Sequence, residues 1–374
     1  MLKTAQGNRT RSGGFRDMVT ELLGLWLLLA VFLDGWAHLN VPGLETFFTP
    51  WHAALYSGML AMAVWTAVVI WRNRAPGQPL AHAAPPGYRG TAVGVILFGT
   101  AGALDLLWHE TLGLEVSLDA LVSPTHLLLG FSLFLILGTG VRSARAASHA
   151  GNPTWTPAAM FAVVLMTGLG AFFLVYASAF VRPGPTALFA PVPVGTPGRL
   201  QAELPVVVSL VSYLLTTALI IAPFLYTLAA ARRPLHGVVT MLVVAAAWLP
   251  VVMVGVRPTA VAGAAGATLA AVVVDLLLTR VPAVWLGRRL PAVTAGIAAL
   301  VWTGQLVAYA VADGIRWPVS LWLGAVVLSA AVAAGLAVVS SWGTGSWGTG
   351  PWGTARTVPG ADAPPTSQNP ARNK

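Results

Sequence analysis

Two stretches of this chain carry aspartate, glutamate and histidine at matching intervals. Residues 34–52 read DGWAHLNVPGLETFFTPWH, and residues 105–126 read DLLWHETLGLEVSLDALVSPTH. Each runs Asp, three residues, His, a gap, Gly-Leu-Glu, a second gap, Thr or Ser, Pro, one residue, His. In the first copy these are Asp34, His38, Gly43, Leu44, Glu45, Thr49, Pro50 and His52; in the second they are Asp105, His109, Gly113, Leu114, Glu115, Ser123, Pro124 and His126. Agreement at that many ordered positions, in a chain with seven histidines, marks an internal duplication. Imidazole nitrogen and carboxylate oxygen are donors for a divalent or redox metal ion. The candidate ligands are therefore Asp34, His38 and His52, and again Asp105, His109 and His126. Glu45 and Glu115 are additional ligands or groups that orient an imidazole. Facing each other, the two half-sites build one two-metal centre; facing apart, they hold two separate ions. Copper, iron, zinc and manganese all suit this donor set. The chain has no cysteine, which excludes thiolate sites, c-type haem attachment and disulfides. Bis-histidine haem would leave the recurrent Asp and Glu unexplained. A structural cluster, in which these side chains merely cap helices and pair with one another, uses the same residues.

The spacing says how such groups converge. Asp34 and His38 are four apart near the exit of one helix, so they share a face, and Asp105 and His109 repeat this. Beyond each loop, Thr49 or Ser123 has the chemistry of an N-cap, and the following proline suits the first helical position. His52 and His126 then fall in the first turn. There the positive end of the helix dipole favours the neutral, metal-binding imidazole.

Composition sets the solvent for these helices. The 374 residues are 56% hydrophobic and 9% charged, against about 25% charged in soluble domains. Apolar runs lie near 18–38, 53–71, 91–109, 125–141, 157–181, 203–231, 237–255, 259–279, 291–312 and 319–340. Each is close to the roughly 20 residues that cross a bilayer, and lipid requires them to be helical. The expectation is an all-α transmembrane bundle of about ten spans, with Pro223 a candidate kink in the sixth. The net charge of +9 is topological rather than a sign of nucleic-acid binding. With the N-terminus inside, 17 of the 21 basic residues are cytoplasmic, leaving Arg182, Arg199, Arg257 and Arg316 outside. Both termini are then cytoplasmic, and both motif loops open to the other face. The first run lacks a cleavage site and reads as a true span.

The chain divides into an arm at 1–17, duplicated helical pairs at 18–145 (repeats about 18–71 and 91–141), a six-helix region at 155–340 and a tail at 341–374. That tail, with WGTGSWGTGPWGTA, lacks the apolar content to order itself. No phosphate-binding glycine loop or nucleophile elbow is present. His82, His149 and His236 lie in or beside basic and Pro/Gly-rich loops and read as solvated. Asp275 interrupts an apolar run and wants a partner. Gln305 and Tyr309 are four apart on the ninth run, suited to a helix contact or a cavity.

The pattern Asp, three residues, His, then a second His beyond a short loop resembles the intramembrane metal-site motif of the particulate methane and ammonia monooxygenases, where a membrane-embedded subunit carries it. The His-to-His gap is fourteen in the first copy and seventeen in the second. The resemblance covers only the motif. This chain departs from the family in its duplication, its Gly-Leu-Glu insertion and its many later helices. It implies a copper ion held within the membrane. The donor set itself suits a copper- or iron-dependent oxidoreductase acting on a small apolar or membrane-dissolved substrate. Asp34, Glu45, Asp105 and Glu115 would then handle protons, and Tyr56, Trp36, Trp51 and Trp108 would wall the pocket. The paired motif also resembles a bacterial polytopic membrane family, which implies a bacterial cytoplasmic membrane. Transport of a metal ion or small solute is the alternative, with Asp275, Glu203 and Asp313 as relay groups.

Overall fold

A computed structural model describes residues 2–42, 48–113, 121–149, 156–231, 239–282, 285–286 and 289–342, with the backbone alone for 2–13, 148–149, 227–231 and 342. The described residues are helical, with no strand among them. In chain order the helices are α1 Leu2–Asn40, α2 Pro50–Asn73, α3 Tyr88–Leu112, α4 Pro124–Leu137, α5 Thr139–His149, α6 Pro157–Phe173, α7 Arg199–Ala231, α8 Val239–Ala247, α9 Pro250–Val254, α10 Pro258–Leu278, α11 Leu290–Ala312 and α12 Val319–Trp342.

Eight stretches among the described residues are helical, long and apolar enough to cross a bilayer, with α4 and α5 counting as one span, Pro124–Ala147. Two shorter apolar helices, α6 and the joined α8–α9 stretch, account for the other two expected runs. The chain is a polytopic helical membrane bundle. The fifth run stops at Phe173, after which residues 174–198 form turns and two single-turn 3-10 helices. The seventh breaks at Leu249–Pro250, where proline removes a backbone donor. Pro205 and Pro223 both lie inside α7, which remains one helix through them.

Prolines begin several helices as the sequence predicts. Thr49, Ser123 and Thr156 each accept a hydrogen bond from the backbone N–H three residues on, at 3.1, 3.4 and 3.2 Å, and Pro50, Pro124 and Pro157 follow them. The other ends of the motif helices are closed differently. Gly113, at φ +90°, lets the chain turn sharply away after α3 while its N–H bonds His109 O. At the end of α1, Asn40 donates to Trp36 O and Met253 O, tying that terminus to α9.

α1 packs on α2, α3 on α4, α10 on α11 and α11 on α12. Two apolar cores result. One joins α1, α2, α3 and α4 through residues such as Leu27, Met62, Phe98 and Leu133; the other joins α7, α8, α10, α11 and α12 around Tyr213, Val244 and Trp302. α6 belongs to both. Leu165 and Leu169 face the first core, and Ala162 and Val163 face the second.

Candidate metal centre

Each copy of the motif closes into a triad. In the first, His38 Nε2 lies 3.8 Å from Asp34 Oδ2, and His52 Nε2 lies 3.5 Å from Asp34 Oδ1. In the second, His109 Nε2 lies 3.5 Å from Asp105 Oδ2, and His126 Nε2 lies 3.7 Å from Asp105 Oδ1. Within each triad one ligand atom per residue lies within 4.8 Å of the others, and either triad could hold a metal ion. α1 and α3 supply Asp and His from one face of their last turns; the N-capped first turns of α2 and α4 supply the second His. The aspartates lie about 9–10 Å from the ends of their helices, at the usual rise per residue.

Those distances discriminate between chemistries. A direct imidazole–carboxylate hydrogen bond closes to about 2.7–3.2 Å, whereas two ligands bonded at about 2.1 Å to one tetrahedral ion stand about 3.4 Å apart. All four Nε2–Oδ distances exceed hydrogen-bond length and lie near the coordination value.

Proton placement distinguishes the second copy further. His109 Nδ1 faces the Gly113 carbonyl at 3.4 Å. With Nδ1 protonated toward that carbonyl, the neutral ring turns an Nε2 lone pair toward Asp105 Oδ2, an arrangement that could hold a metal ion between the two. His126 Nδ1 is held by Ser123 Oγ at 2.6 Å, which orients that ring too. Asp105 is 2% exposed and accepts a hydrogen bond from Thr125 Oγ1 at 2.8 Å. One hydrogen bond to a charged group contributes roughly 1.5–3 kcal/mol, while desolvating a carboxylate costs several, so Thr125 alone does not compensate the burial.

The first copy differs. Trp51 stands where the second has Thr125, and Asp34 Oδ1 is buried without a hydrogen bond. Asp34, His38 and His126 line one cavity of about 100 Å³, so both copies reach the same space. Its remaining walls are chiefly apolar, including Phe98, Phe172, Phe173 and Met253. The copies are thus two adjacent clusters sharing a wall.

The structure brings all six candidate ligands together. Glu45 and Glu115 lie outside the described residues, as do His236 and the tail from 343 onward. Tyr56 packs against His52 and Phe98, at 6.1 and 6.3 Å between ring centroids, and Trp36 against Trp51 at 5.9 Å. Among the residues lining the cavity, the aromatic walls instead come from Phe98 of α3, Phe172 and Phe173 of α6, and Tyr176 just after it. Sequence reasoning missed them, because a long apolar run followed by a loop does not say which core it joins.

The other buried carboxylates among the described residues have different occupations. Asp275 accepts from the N–H groups of Thr240 and Met241, at 3.1 and 3.0 Å, and so caps α8 from a neighbouring helix. Glu21 likewise accepts from Gly140 N at 2.8 Å, where the break at Gly138 exposes the start of α5. Asp17 accepts from Arg16 and Tyr88. Glu203 pairs with Arg199 and Asp313 with Arg316, at 2.8 and 3.1 Å. Gln305 accepts from Tyr213 and donates to Ala179 O, fixing the segment after α6. His82 is exposed. Comparison with protein families, with curated proteins and with solved structures finds no match for this chain.

Proposed function

We propose that this protein is a metal-dependent oxidoreductase of a bacterial cytoplasmic membrane, with both termini cytoplasmic and the paired triads near the opposite face. It acts on a small apolar or membrane-dissolved molecule. The observation that carries the reading is the repeated set of imidazole and carboxylate atoms held 3.5–3.8 Å apart, beyond hydrogen bonding and near the spacing of shared ligands. The all-nitrogen-and-oxygen donor set suits copper(II), iron or zinc, and a redox ion would supply electron transfer.

This chain's own residues divide the work. Asp105 and His109 are the more buried pair and His126 joins them from the cavity wall; Ser123, Thr125 and the Gly113 carbonyl contact these ligands and orient them. Asp34, with its uncommitted Oδ1, and His38 face the cavity, where a substrate would meet the ion. Phe172 and Phe173 keep that space apolar. Glu45 and Glu115, which lie in sequence between the paired helices, are assigned to proton handling. Metal or solute passage is the weaker reading, because Asp275, Glu203 and Asp313 are each engaged in a cap or an ion pair.

The test is electron paramagnetic resonance of the purified protein reconstituted with copper or iron, taken through one cycle of anaerobic reduction and reoxidation. The reading predicts a signal with imidazole nitrogen coupling that disappears on reduction and returns. An ion bound at the triads but silent throughout the cycle overturns the oxidoreductase assignment.

A further inference from the structure

A second, larger cavity of about 450 Å³ adjoins the metal cavity, and both are lined by Leu39, Val175 and Tyr176. Among the described residues its charged lining side chains are Arg182 and Arg257, and none is a carboxylate. Four arginines belong to this end of the bundle when the N-terminus is cytoplasmic. Arg199 and Arg316 are matched by Glu203 and Asp313; among the described residues no carboxylate pairs with Arg182 or Arg257. Arg182 is also held in place, since its Nε donates to Tyr176 O at 2.7 Å, the backbone of a residue that both cavities share. The turn carrying it is fixed in turn. Thr216 Oγ1 accepts from Ala179 N at 3.0 Å, and Gln305 donates to Ala179 O.

Charge and shape together specify a ligand. A mouth that gathered metal cations would present carboxylates; this one presents two guanidinium groups, which attract anions and can bind a carboxylate by paired hydrogen bonds. The adjoining cavity, which Tyr176 also lines, is chiefly apolar and is lined by Asp34, His38 and His126 as well. We propose that the substrate is a small amphiphile with an anionic oxygen head, best a monocarboxylate. Its head rests on Arg182 and Arg257, and its apolar body passes Tyr176 into the metal cavity. This rests on the metal-centre reading and adds the substrate class.

The experiment uses the full-length protein in phosphatidylcholine nanodiscs. Octanoate, 1-octanol and inorganic phosphate are titrated by calorimetry, and metal content is measured on the same samples. Octanoate should bind more tightly than 1-octanol and phosphate. Its affinity should fall by about tenfold or more in R182Q/R257Q, the usual weight of lost hydrogen bonds to a charged group, with metal content unchanged. Equal affinity for 1-octanol, unchanged octanoate binding in the variant, or phosphate binding as tightly as octanoate would each overturn the proposal. Phosphatidylglycerol nanodiscs separate a second source of the same head chemistry. Arginine-dependent displacement of octanoate by that lipid assigns the pair to lipid headgroups and also overturns it. If the wild type holds no metal while octanoate binding stays arginine-dependent, the metal-centre reading fails and the carboxylate site stands.

Discussion

The two copies of the motif share their ligands and differ in how those ligands are supported. In the second, Asp105 is 2% exposed, Thr125 donates to it, and Ser123 and the Gly113 carbonyl hold the two rings by Nδ1. In the first, the Asp34 side chain is 17% exposed, its buried Oδ1 makes no hydrogen bond, and it lines a cavity together with His38. A closed, fully supported metal site is the structural kind, and one that keeps a position open toward a cavity is the reactive kind. The proposed division of roles between the two copies would need divergence at only a few neighbouring residues. Thr125 against Trp51 is one such difference; Gly130 against Tyr56, each four residues after the second His, is another.

Removing the aspartates puts the largest load on that contrast. With metal bound, Asp105→Ala takes away a ligand and the acceptor of a buried hydroxyl, and should destabilise by about 3–5 kcal/mol. Asp34→Asn removes a less buried charge with an unmet oxygen and should cost the metal-bound protein clearly less. Thermal unfolding in detergent compares the two; equal losses would abolish the distinction. Next in size, Thr125→Val should weaken metal binding at the second triad by about 10–100-fold and leave the first untouched, as measured by competition with a chromophoric chelator. Equal weakening of both would mean that the triads act as one centre.

Filling glycines probes the shared cavity. A Cβ on Gly130 would come within 2.3 Å of the Phe173 ring, whereas on Gly102 it meets the Tyr56 hydroxyl and ring edge no closer than 3.1 Å. Gly130→Ala should cost about 1–3 kcal/mol and shift the spectrum of the first centre by moving the cavity wall, and Gly102→Ala should do much less. Smallest at the metal is Asp275→Asn, which weakens the cap of α8. It should cost about 1 kcal/mol of stability with no change in metal content, separating the scaffold from the motif region.

The ligand sets were legible in the sequence because their chemistry is local. A four-residue spacing puts Asp34 with His38, and a Thr-Pro or Ser-Pro cap fixes where the next histidine points. The helical membrane class followed from composition. What stayed hidden depends on packing between distant segments. Phe172 and Tyr176 lie in or just after a run that reads as scaffold, yet that run turns back at Leu174 and walls the cavity. Asp275 reads as a relay group because nothing in its own helix can partner it; its partners are backbone N–H groups of α8. Among the described residues eight of the ten expected runs are long spans, and the other two are the shorter apolar helices Pro157–Phe173 and Val239–Val254, because Pro250 and the turn after Phe173 interrupt runs that hydropathy alone joins.

Elemental analysis of the purified protein, beside H38A/H52A, H109A/H126A and the fourfold variant, tests the central claim most directly. The expected result is one bound ion lost in each double variant and both lost in the fourfold variant. Full metal content retained in the fourfold variant would contradict it.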